Sequence, residues 1–330
     1  MRTILYVKER MPCLMPLLGI IMFSAASGSS ASAKERITLK RDDQAGRLSV
    51  QIDGQEILAY QYSPLFDLPH YWPLNSPSGK NMLTQMAIPY PHHRSFWFAD
   101  TVRVPGSKTA SFYNALYSGT GGKQNPFKPY RAPFGNQIVH TGFQKLKTDG
   151  DVAVIESTLV WNIDKKPILD EQRTVRLHAL PHDEYLLDMT FSLTAAYTDV
   201  EFVSDKVHYA WPYIRINKNF NGQTGGGVIT SDSGQQGQKK TDGQVAKWID
   251  YSRKTEGMAV YQWPDGQDHR WLTREYGCFG PRRPDKTSGI PFTLKKGQSL
   301  RQRVGILVHQ GDVKSGRVAE RYQQYIQGKL

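Results

Sequence analysis

The sequence predicts an all-β protein, organised as a large antiparallel β-sandwich with one C-terminal helix. Three segments that alternate apolar and polar residues are each followed by a short turn and a second segment, which is the pattern of a β-hairpin. After the third turn the apolar residues recur at a strict period of two, as in a strand with one buried face. They are Tyr185, Leu187, Met189, Phe191 and Leu193. Only the last stretch of the chain has the 3.6-residue apolar spacing of a helix.

The first 33 residues predict a signal peptide rather than part of the fold. Basic residues precede an apolar stretch, residues 11–26, and Ala31-Ser32-Ala33 resembles a cleavage site. Residues 34–330 are then expected to form a single domain of a periplasmic or secreted protein. No later apolar run approaches the ~20 residues of a membrane-spanning helix, so we expect no membrane span. Removal of Cys13 with the signal peptide would leave Cys278 without an intramolecular disulfide partner.

The strands are predicted in chain order from the hairpins. The first hairpin joins residues 47–52 to 56–60 across Asp53-Gly54, the second joins 143–147 to 152–161 across Asp149-Gly150, and the third joins 172–180 to 184–193 across 181–183. Further strands are predicted at 201–203, 213–216, 246–250, 257–262, 292–294 and 300–309. A helix is predicted at 315–327, and its apolar stripe is expected to pack on the edge of the sheets.

Three long loops interrupt this pattern, at residues 65–88, 105–136 and 221–244. Binding residues are often found on such loops when a rigid scaffold holds them. The third loop is rich in Gly and Gln and has little apolar surface to bury, so we expect it to be a mobile flap. Each loop could equally be an insertion without function.

The formal net charge of +12 is spread along the chain, with no run of five like charges. No nucleic-acid-binding motif accompanies it, so we expect no nucleic-acid partner. An anionic glycan or an anionic cell envelope is the favoured partner, although the charge could serve only solubility. The sequence carries no signal for an oligomeric state.

Residues 89–100 are the strongest candidate for a chemical centre. Pro89 and Pro91 fix the backbone around Tyr90, and the chain then enters His92-His93-Arg94 as an extended or turning segment. Adjacent imidazoles next to a guanidinium can act as acid–base groups near neutral pH. The alternative is a packed core His93 with His92 and Arg94 on a solvated edge, and the pattern leaves both open.

Histidine, tyrosine and arginine together suit an elimination reaction next to a carboxylate. Arginine neutralises the acid group, a His or Tyr removes the neighbouring proton, and another protonates the leaving oxygen. The candidate catalytic residues are His92, His93, His140, His208 and Tyr209. The candidate substrate-binding residues are Trp72, Arg94, Trp97, Arg215, Arg274, Glu275 and Tyr276.

Two other functions remain open. A glycoside hydrolase would need a pair of carboxylates, for which Glu156, Asp250 and Glu275 are scattered candidates. A non-catalytic glycan-binding protein would stack Tyr71, Trp72, Trp97 and Trp211 on sugar faces. We expect no cofactor and no metal, because two adjacent histidines of a strand point in opposite directions and no His-x-His or His-Glu-x-x-His motif is present.

The chain resembles a bacterial family of unknown function labelled "methane oxygenase PmoA" over about residues 45 to 326. The resemblance is carried by residues 91–98 (PHHRSFWF), 142–143, 170–173, 248–252, 274–277 and 292–297. It implies a galactose-mutarotase-like super-sandwich, the fold of aldose epimerases, several polysaccharide lyases and some hydrolases, in an exported protein. The resulting prediction is a lyase or dehydratase acting on an anionic, uronate-containing oligosaccharide.

Overall fold

The computed structural model describes residues 35–117, 134–203, 209–284 and 290–330. The predicted signal peptide, the middle of the second predicted loop and His208 lie outside these ranges. The signal peptide and the single-domain assignment therefore stay predictions. In the described residues the chain is predominantly β, with antiparallel pairing throughout and a helix at the C-terminal end, which confirms the predicted fold class.

The strands and helices follow one another in this order: β1 (Ile37–Asp42), β2 (Arg47–Ile52), β3 (Gln55–Gln61), β4 (His70–Leu74), β5 (Phe96–Trp97), β6 (Thr101–Arg103), β7 (Ala110–Ser111), β8 (Asn136–Asp149), β9 (Val152–Ile163), β10 (Lys166–Ala179), β11 (Tyr185–Thr194), β12 (Val200–Phe202), β13 (Tyr213–Arg215), β14 (Val228–Ser231), α1 (Gln238–Thr241), β15 (Trp248–Ser252), β16 (Glu256–Gln262), β17 (His269–Thr273), β18 (Cys278–Pro284), β19 (Phe292–Leu294), β20 (Ser299–Gln310) and α2 (Val318–Ile326).

Two eight-stranded sheets and one four-stranded sheet are formed. The first sheet has the order β1-β2-β3-β4-β5-β13-β18-β17, and the second has the order β14-β15-β16-β20-β11-β10-β9-β8. The small sheet has the order β19-β12-β6-β7. The three predicted hairpins are present, as β2–β3, β8–β9 and β10–β11. At the first turn Asp53 and Gly54 both have positive φ (49° and 84°), as a type I′ turn requires.

The direction of side chains on β5 separates the core from the candidate site. Phe98, just after β5, stacks on Phe191 of the second sheet with ring centroids 4.3 Å apart. Trp97 points the opposite way and packs on Tyr213 of β13 at 4.4 Å. Because neighbouring strand residues point to opposite faces, the first sheet buries one face against the second sheet and presents Trp97 and Tyr213 on its other face.

A charged pair is buried between the two large sheets. Arg173 of β10 donates from Nε to Glu171 Oε1 (2.7 Å), and Trp161 of β9 donates to Glu171 Oε2 (2.9 Å). Both charged side chains are at most 1% exposed. The guanidinium lies 5.2 Å from the Phe191 ring centroid and 5.9 Å from that of Tyr71, so cation–π contacts from both sheets surround it.

The third predicted loop is ordered, so the expectation of a mobile flap was wrong. Residues 228–231 form β14 and pair with β15, and residues 238–241 form the short helix α1. The backbone N–H of Gln238 donates to Glu275 Oε1 (2.8 Å), and that of Gly222 donates to the Tyr251 hydroxyl (2.7 Å). Hydrogen bonds, together with the buried side chain of Ile229 on β14, therefore hold this Gly-rich segment in place.

The C-terminal helix differs from its prediction in length and position. It covers Val318–Ile326, and it packs on the outer face of the second sheet instead of an edge. Tyr322 and Tyr325 contact the ring of Tyr261 on β16 at 5.5 and 5.7 Å. In the described ranges, no helix has the length and apolar character needed to cross a bilayer.

Candidate functional site

His93 lies on the face of the first sheet that does not pack on the second sheet, and aromatic rings surround it. Its ring stacks on Tyr90 at 5.0 Å and lies 5.5 Å from Trp97. The Tyr113 hydroxyl is 3.0 Å from Nε2 of His93, a hydrogen-bonding distance. Burial lowers the pKa of His93 to about 2, with the charges of His92 and Arg215 adding to the shift. His93 is therefore a neutral imidazole at neutral pH.

His92 meets His93 edge-on, with ring centroids 4.5 Å apart. It is 6% exposed, and burial lowers its pKa to about 4. Its ring also contacts Tyr113 at 5.4 Å. The two histidines thus form a neutral pair, which can accept a proton but carries no charge of its own at neutral pH.

Arg94 is directed away from the histidines into a buried ion pair. Its Nε donates to Asp67 Oδ1 (2.7 Å), and Asp67 is 0% exposed. Met86 Sδ lies 3.1 Å from Nη1, and the guanidinium is 5.6 Å from the Phe66 ring centroid. This placement ties the loop before β5 to the loop before β4, which fits a positioning role for Arg94 better than the predicted substrate contact.

Arg215 of β13 is a buried cation that has no carboxylate partner among the residues that the structure describes. It is 8% exposed and lies over the Tyr276 ring, with Cζ 4.4 Å from the ring centroid. Its Nη1 donates to the carbonyl oxygen of Tyr276 (2.6 Å) and lies 3.4 Å from Cys278 Sγ. Its Nε has no hydrogen-bond partner within the described residues.

The other buried arginines in the described part of the chain are all paired with acids. Each has a carboxylate oxygen within 4 Å: the pairs are Arg94–Asp67, Arg173–Glu171, Arg283–Asp100 and Arg321–Glu184. Burial of an unpaired charge is costly unless an anion neutralises it. Arg215 is accordingly the group in this cluster that is suited to receive an anionic ligand.

Tyrosines complete the cluster. Tyr113 stacks on Tyr209 at 3.8 Å, and Tyr276 stacks on Tyr90 at 5.7 Å. Burial raises the pKa of Tyr113, Tyr213 and Tyr276 above the ordinary value, so these phenols stay protonated at neutral pH. Tyr90 is 37% exposed and stands at the solvent side of His93. The site therefore offers hydroxyl proton donors next to neutral imidazoles.

Some predicted residues belong to other environments. His140, on β8, packs on Tyr62 at 4.6 Å and on Phe143 at 4.5 Å, and burial lowers its pKa to about 4. Trp72, on β4, is partly buried, and its carbonyl oxygen accepts from Gln61. His208 lies outside the described residues.

Arg274 and Glu275 are engaged with the segment that contains α1. Arg274 pairs with Asp242 (2.5 Å), and Glu275 accepts from the Gln238 backbone N–H (2.8 Å). Of the four aromatic residues expected to stack on sugars, Trp97 and Trp211 are each 1% exposed and Tyr71 is also buried. Those three rings have no free face for a sugar in this structure.

Four residues of this cluster were not among the predicted site residues: Tyr90, Tyr113, Tyr213 and Cys278. Tyr213 could have been found, because it lies two residues before Arg215 on a predicted strand and so shares its face. Cys278 pairs across from Arg215 in the sheet. Tyr113 arrives from the second loop, for which no local pattern predicts a position.

The sequence of residues 47–323 matches the model of a family of unknown function, DUF6807. The chain belongs to this family. That match supports the unknown-function family of the sequence resemblance, and it carries no methane-oxygenase label. No curated protein matches this DUF6807 chain.

Several solved structures are similar to this DUF6807 member at low identity. The GH36 alpha-galactosidase AgaB from Geobacillus stearothermophilus has 7% identity and a TM-score of 0.46, over 84% of this chain and 42% of that chain. An alpha-galactosidase from Lactobacillus brevis has 9% identity and a TM-score of 0.45, over 89% and 42%. A polysaccharide lyase has 11% identity and a TM-score of 0.38, over 82% and 34%. The DUF6807 chain spans less than half the length of these proteins.

The arrangement around His93 is suited to proton transfer next to an anion. No Asp or Glu side chain in the described ranges contacts His93, whereas Arg215 is close enough to lower its pKa. A neutral imidazole can accept a proton, and the protonated tyrosines can donate one. The carboxylate pair that a glycoside hydrolase uses is not assembled by the described residues of this cluster.

Proposed function

We propose that this protein is a carbohydrate-active enzyme that performs an elimination on a uronate-containing oligosaccharide, as a lyase or dehydratase. The observation that carries the proposal is Arg215, the buried arginine of the candidate site that has no carboxylate partner among the described residues. A uronate carboxylate would supply that missing charge. Its pairing with a guanidinium is a charge-assisted contact, which is among the stronger hydrogen bonds in proteins.

The proposed step uses His92 and Tyr276, whose rings both contact that of Tyr90 at 6.1 and 5.7 Å, and Arg215, which lies over the Tyr276 ring. Neutralisation of the carboxylate makes the C–H bond on the adjacent carbon more acidic, and His92 accepts that proton. The electron pair of the broken C–H bond forms a carbon–carbon double bond while the C–O bond to the leaving group breaks. Tyr276, whose pKa is raised by burial, donates its proton to the leaving oxygen. A positioned acid or base of this kind contributes about 10²–10⁴ to the rate.

His93 supports the base rather than acting on the substrate. It lies deeper than His92, at 3% exposure, and its Nε2 is occupied by the Tyr113 hydroxyl. Its ring meets the His92 ring edge-on, with centroids 4.5 Å apart, and restricts the orientation of that ring. His92 is therefore the residue of the pair that we assign to proton abstraction.

The test is a comparison of acidic and neutral substrates with Arg215 variants. Uronate oligosaccharides are incubated with the wild-type protein, Arg215→Met and Arg215→Lys, and the unsaturated product is followed by ultraviolet absorbance and mass. Loss of one charged hydrogen bond predicts a fall in kcat/KM of roughly 10- to 150-fold for Arg215→Met, with partial recovery in Arg215→Lys. Arg103→Met, which removes an arginine on the small sheet, is the matched control.

The same experiment includes a substrate change. A carboxyl-reduced, neutral oligosaccharide should be turned over by the wild-type protein no faster than the uronate is by Arg215→Met. Products that have gained one water molecule would indicate hydrolysis. Saturable uronate binding without turnover would indicate a glycan-binding protein, and either result contradicts the proposed elimination.

A further inference from the structure

A cavity of about 370 Å³ lies away from the histidine pair. It is formed where β16 passes into β17, beside α2 and the chain that precedes β15. Its polar and aromatic lining includes Asp232, Lys247, Trp263, Asp268, His269 and Tyr322. β17 begins at His269, which lines this cavity, and ends at Thr273, after which a turn leads to Cys278 of the candidate site. The four residue steps along β17 span about 14 Å.

Trp263 is a rigid aromatic wall of this cavity. The guanidinium of Arg303 lies 3.5 Å from the Trp263 ring centroid, and Tyr325 meets the ring edge-on at 5.3 Å. Arg303 is itself fixed by two hydrogen bonds to Asp188, of 2.9 and 2.8 Å. The Trp263 backbone N–H donates to the Arg303 carbonyl oxygen (3.2 Å). The Trp263 side chain therefore has little conformational entropy to lose when a ligand binds.

The loop from Gln262 to His269 forms another wall of the cavity, and hydrogen bonds hold it at both ends. His269 is within hydrogen-bonding distance of Asp265 Oδ2 (3.0 Å) and of the Arg282 carbonyl oxygen (2.9 Å). Gln262 donates to the Trp263 carbonyl oxygen (3.0 Å). The cavity is consequently pre-formed, as small-molecule sites usually are.

Polar side chains line the cavity and are open to solvent. The Tyr322 ring is buried, whereas its hydroxyl reaches solvent and has no hydrogen bond to a described residue. Burial raises the pKa of Tyr322, and the nearby Asp232 carboxylate adds to that rise. Lys247 and Asp268 are exposed and Asp232 is half-buried, and no described residue forms a hydrogen bond or ion pair with these three side chains. These groups are therefore accessible to a ligand that offers hydroxyl groups.

We propose that this cavity binds a neutral saccharide unit. The C–H face of a pyranose can pack on the Trp263 ring, whose face carries partial negative charge. The Asp232 and Asp268 carboxylates accept from sugar hydroxyls, the Lys247 ammonium donates to them, and the Tyr322 hydroxyl does both. Two carboxylates beside one ammonium disfavour a uronate, in contrast to the cationic environment of Arg215. This proposal does not depend on the proposed elimination.

The binding of neutral sugars tests this site. Glucose, galactose, mannose, lactose and cellobiose are titrated into the full-length protein by calorimetry and by saturation-transfer NMR. Trp263→Ala should abolish saturable binding. Tyr322→Phe keeps the ring, so it should stay folded, and it should weaken binding about 2- to 12-fold through loss of one hydrogen bond. Tyr197→Phe, at a solvent-exposed tyrosine outside the cavity, is the matched control.

Three results would overturn the proposal. One is the absence of saturable binding of every neutral sugar to the wild-type protein, and another is unchanged binding in folded Tyr322→Phe and Asp232→Asn. Tighter binding of glucuronate than of glucose at this cavity would also contradict it. Arg215→Met should leave neutral-sugar binding unchanged, so failure of the elimination proposal is distinguishable from failure of this one.

Discussion

Replacement of Arg94 by Met separates a positioning role from substrate binding. The change leaves the Asp67 carboxylate buried, at 0% exposure, without its cationic partner. Asp67 Oδ2 already lacks a hydrogen bond among the described residues, so the protein offers little compensation. Removal of one member of a buried ion pair costs about 3–5 kcal/mol. At roughly 2–4 °C per kcal/mol, Tm should fall by roughly 6–20 °C.

The double variant Arg94→Met/Asp67→Leu tests whether the fall in Tm comes from the unpaired Asp67 carboxylate. Replacement of both charges by apolar residues is often neutral for stability, so thermal unfolding should recover most of the lost Tm. If turnover recovers with it, Arg94 acts by holding the loop that carries His92. If stability returns and turnover stays lost, Arg94 contacts substrate, as the sequence analysis proposed. A single variant as stable as the wild-type protein would refute the energetic argument altogether.

Four further predictions rest on contacts of the candidate site. The pKa of His92 falls from about 6.5 in the unfolded chain to about 4 in the folded protein. The free energy of unfolding should therefore decline as the pH drops from 6.5 towards 4. Urea titrations at several pH values should show a smaller decline for His92→Gln. With His92 as the base, the acid limb of the kcat/KM profile should lie near pH 4, and a limb near 6.5 would contradict its burial. Tyr113→Phe keeps the ring and removes the hydrogen bond to His93, so denaturation should show a loss of about 1 kcal/mol, and an unchanged midpoint would mean that this bond contributes nothing. Glu275→Ala removes the acceptor of the Gln238 N–H, so hydrogen exchange should accelerate at residues 238–242 and not in β10, whereas uniform acceleration would indicate global destabilisation.

The long hairpins could be predicted because their signals are local. Turn residues such as Asp53-Gly54 and a period of two in the flanking strands both lie within a dozen residues. By contrast β5 has only two residues, which is too short for any periodic pattern, and no strand was predicted there. The three-residue strand β13, which carries Arg215, was predicted at 213–216. Pairing with β4 and β13 defines β5, so the strand that holds Trp97 could not be predicted from local sequence.

The candidate site shows the same division. His92 and His93 were found because an unusual run of residues marks them, and Arg215 because it ends a recognisable strand. The partner of Arg94 could not be found, since Asp67 lies 27 residues earlier in an aromatic loop. The interpretation of residues 221–244 failed because a low overall apolar content reveals neither hydrogen bonds such as Gln238 to Glu275 nor the burial of a single residue such as Ile229.

The buried pair of Glu171 and Arg173 bears on how β10 finds its place between β9 and β11. A shift of β10 by one residue would turn its apolar side chains outward, which the hydrophobic pattern alone forbids. A shift by two residues would keep that pattern, yet it would take Glu171 away from the Trp161 indole and Arg173 away from Phe191. Burial of apolar surface does not distinguish these two alignments, whereas the contacts of the charged pair do. We expect the pair to make the native alignment unique rather than to raise the free energy of unfolding.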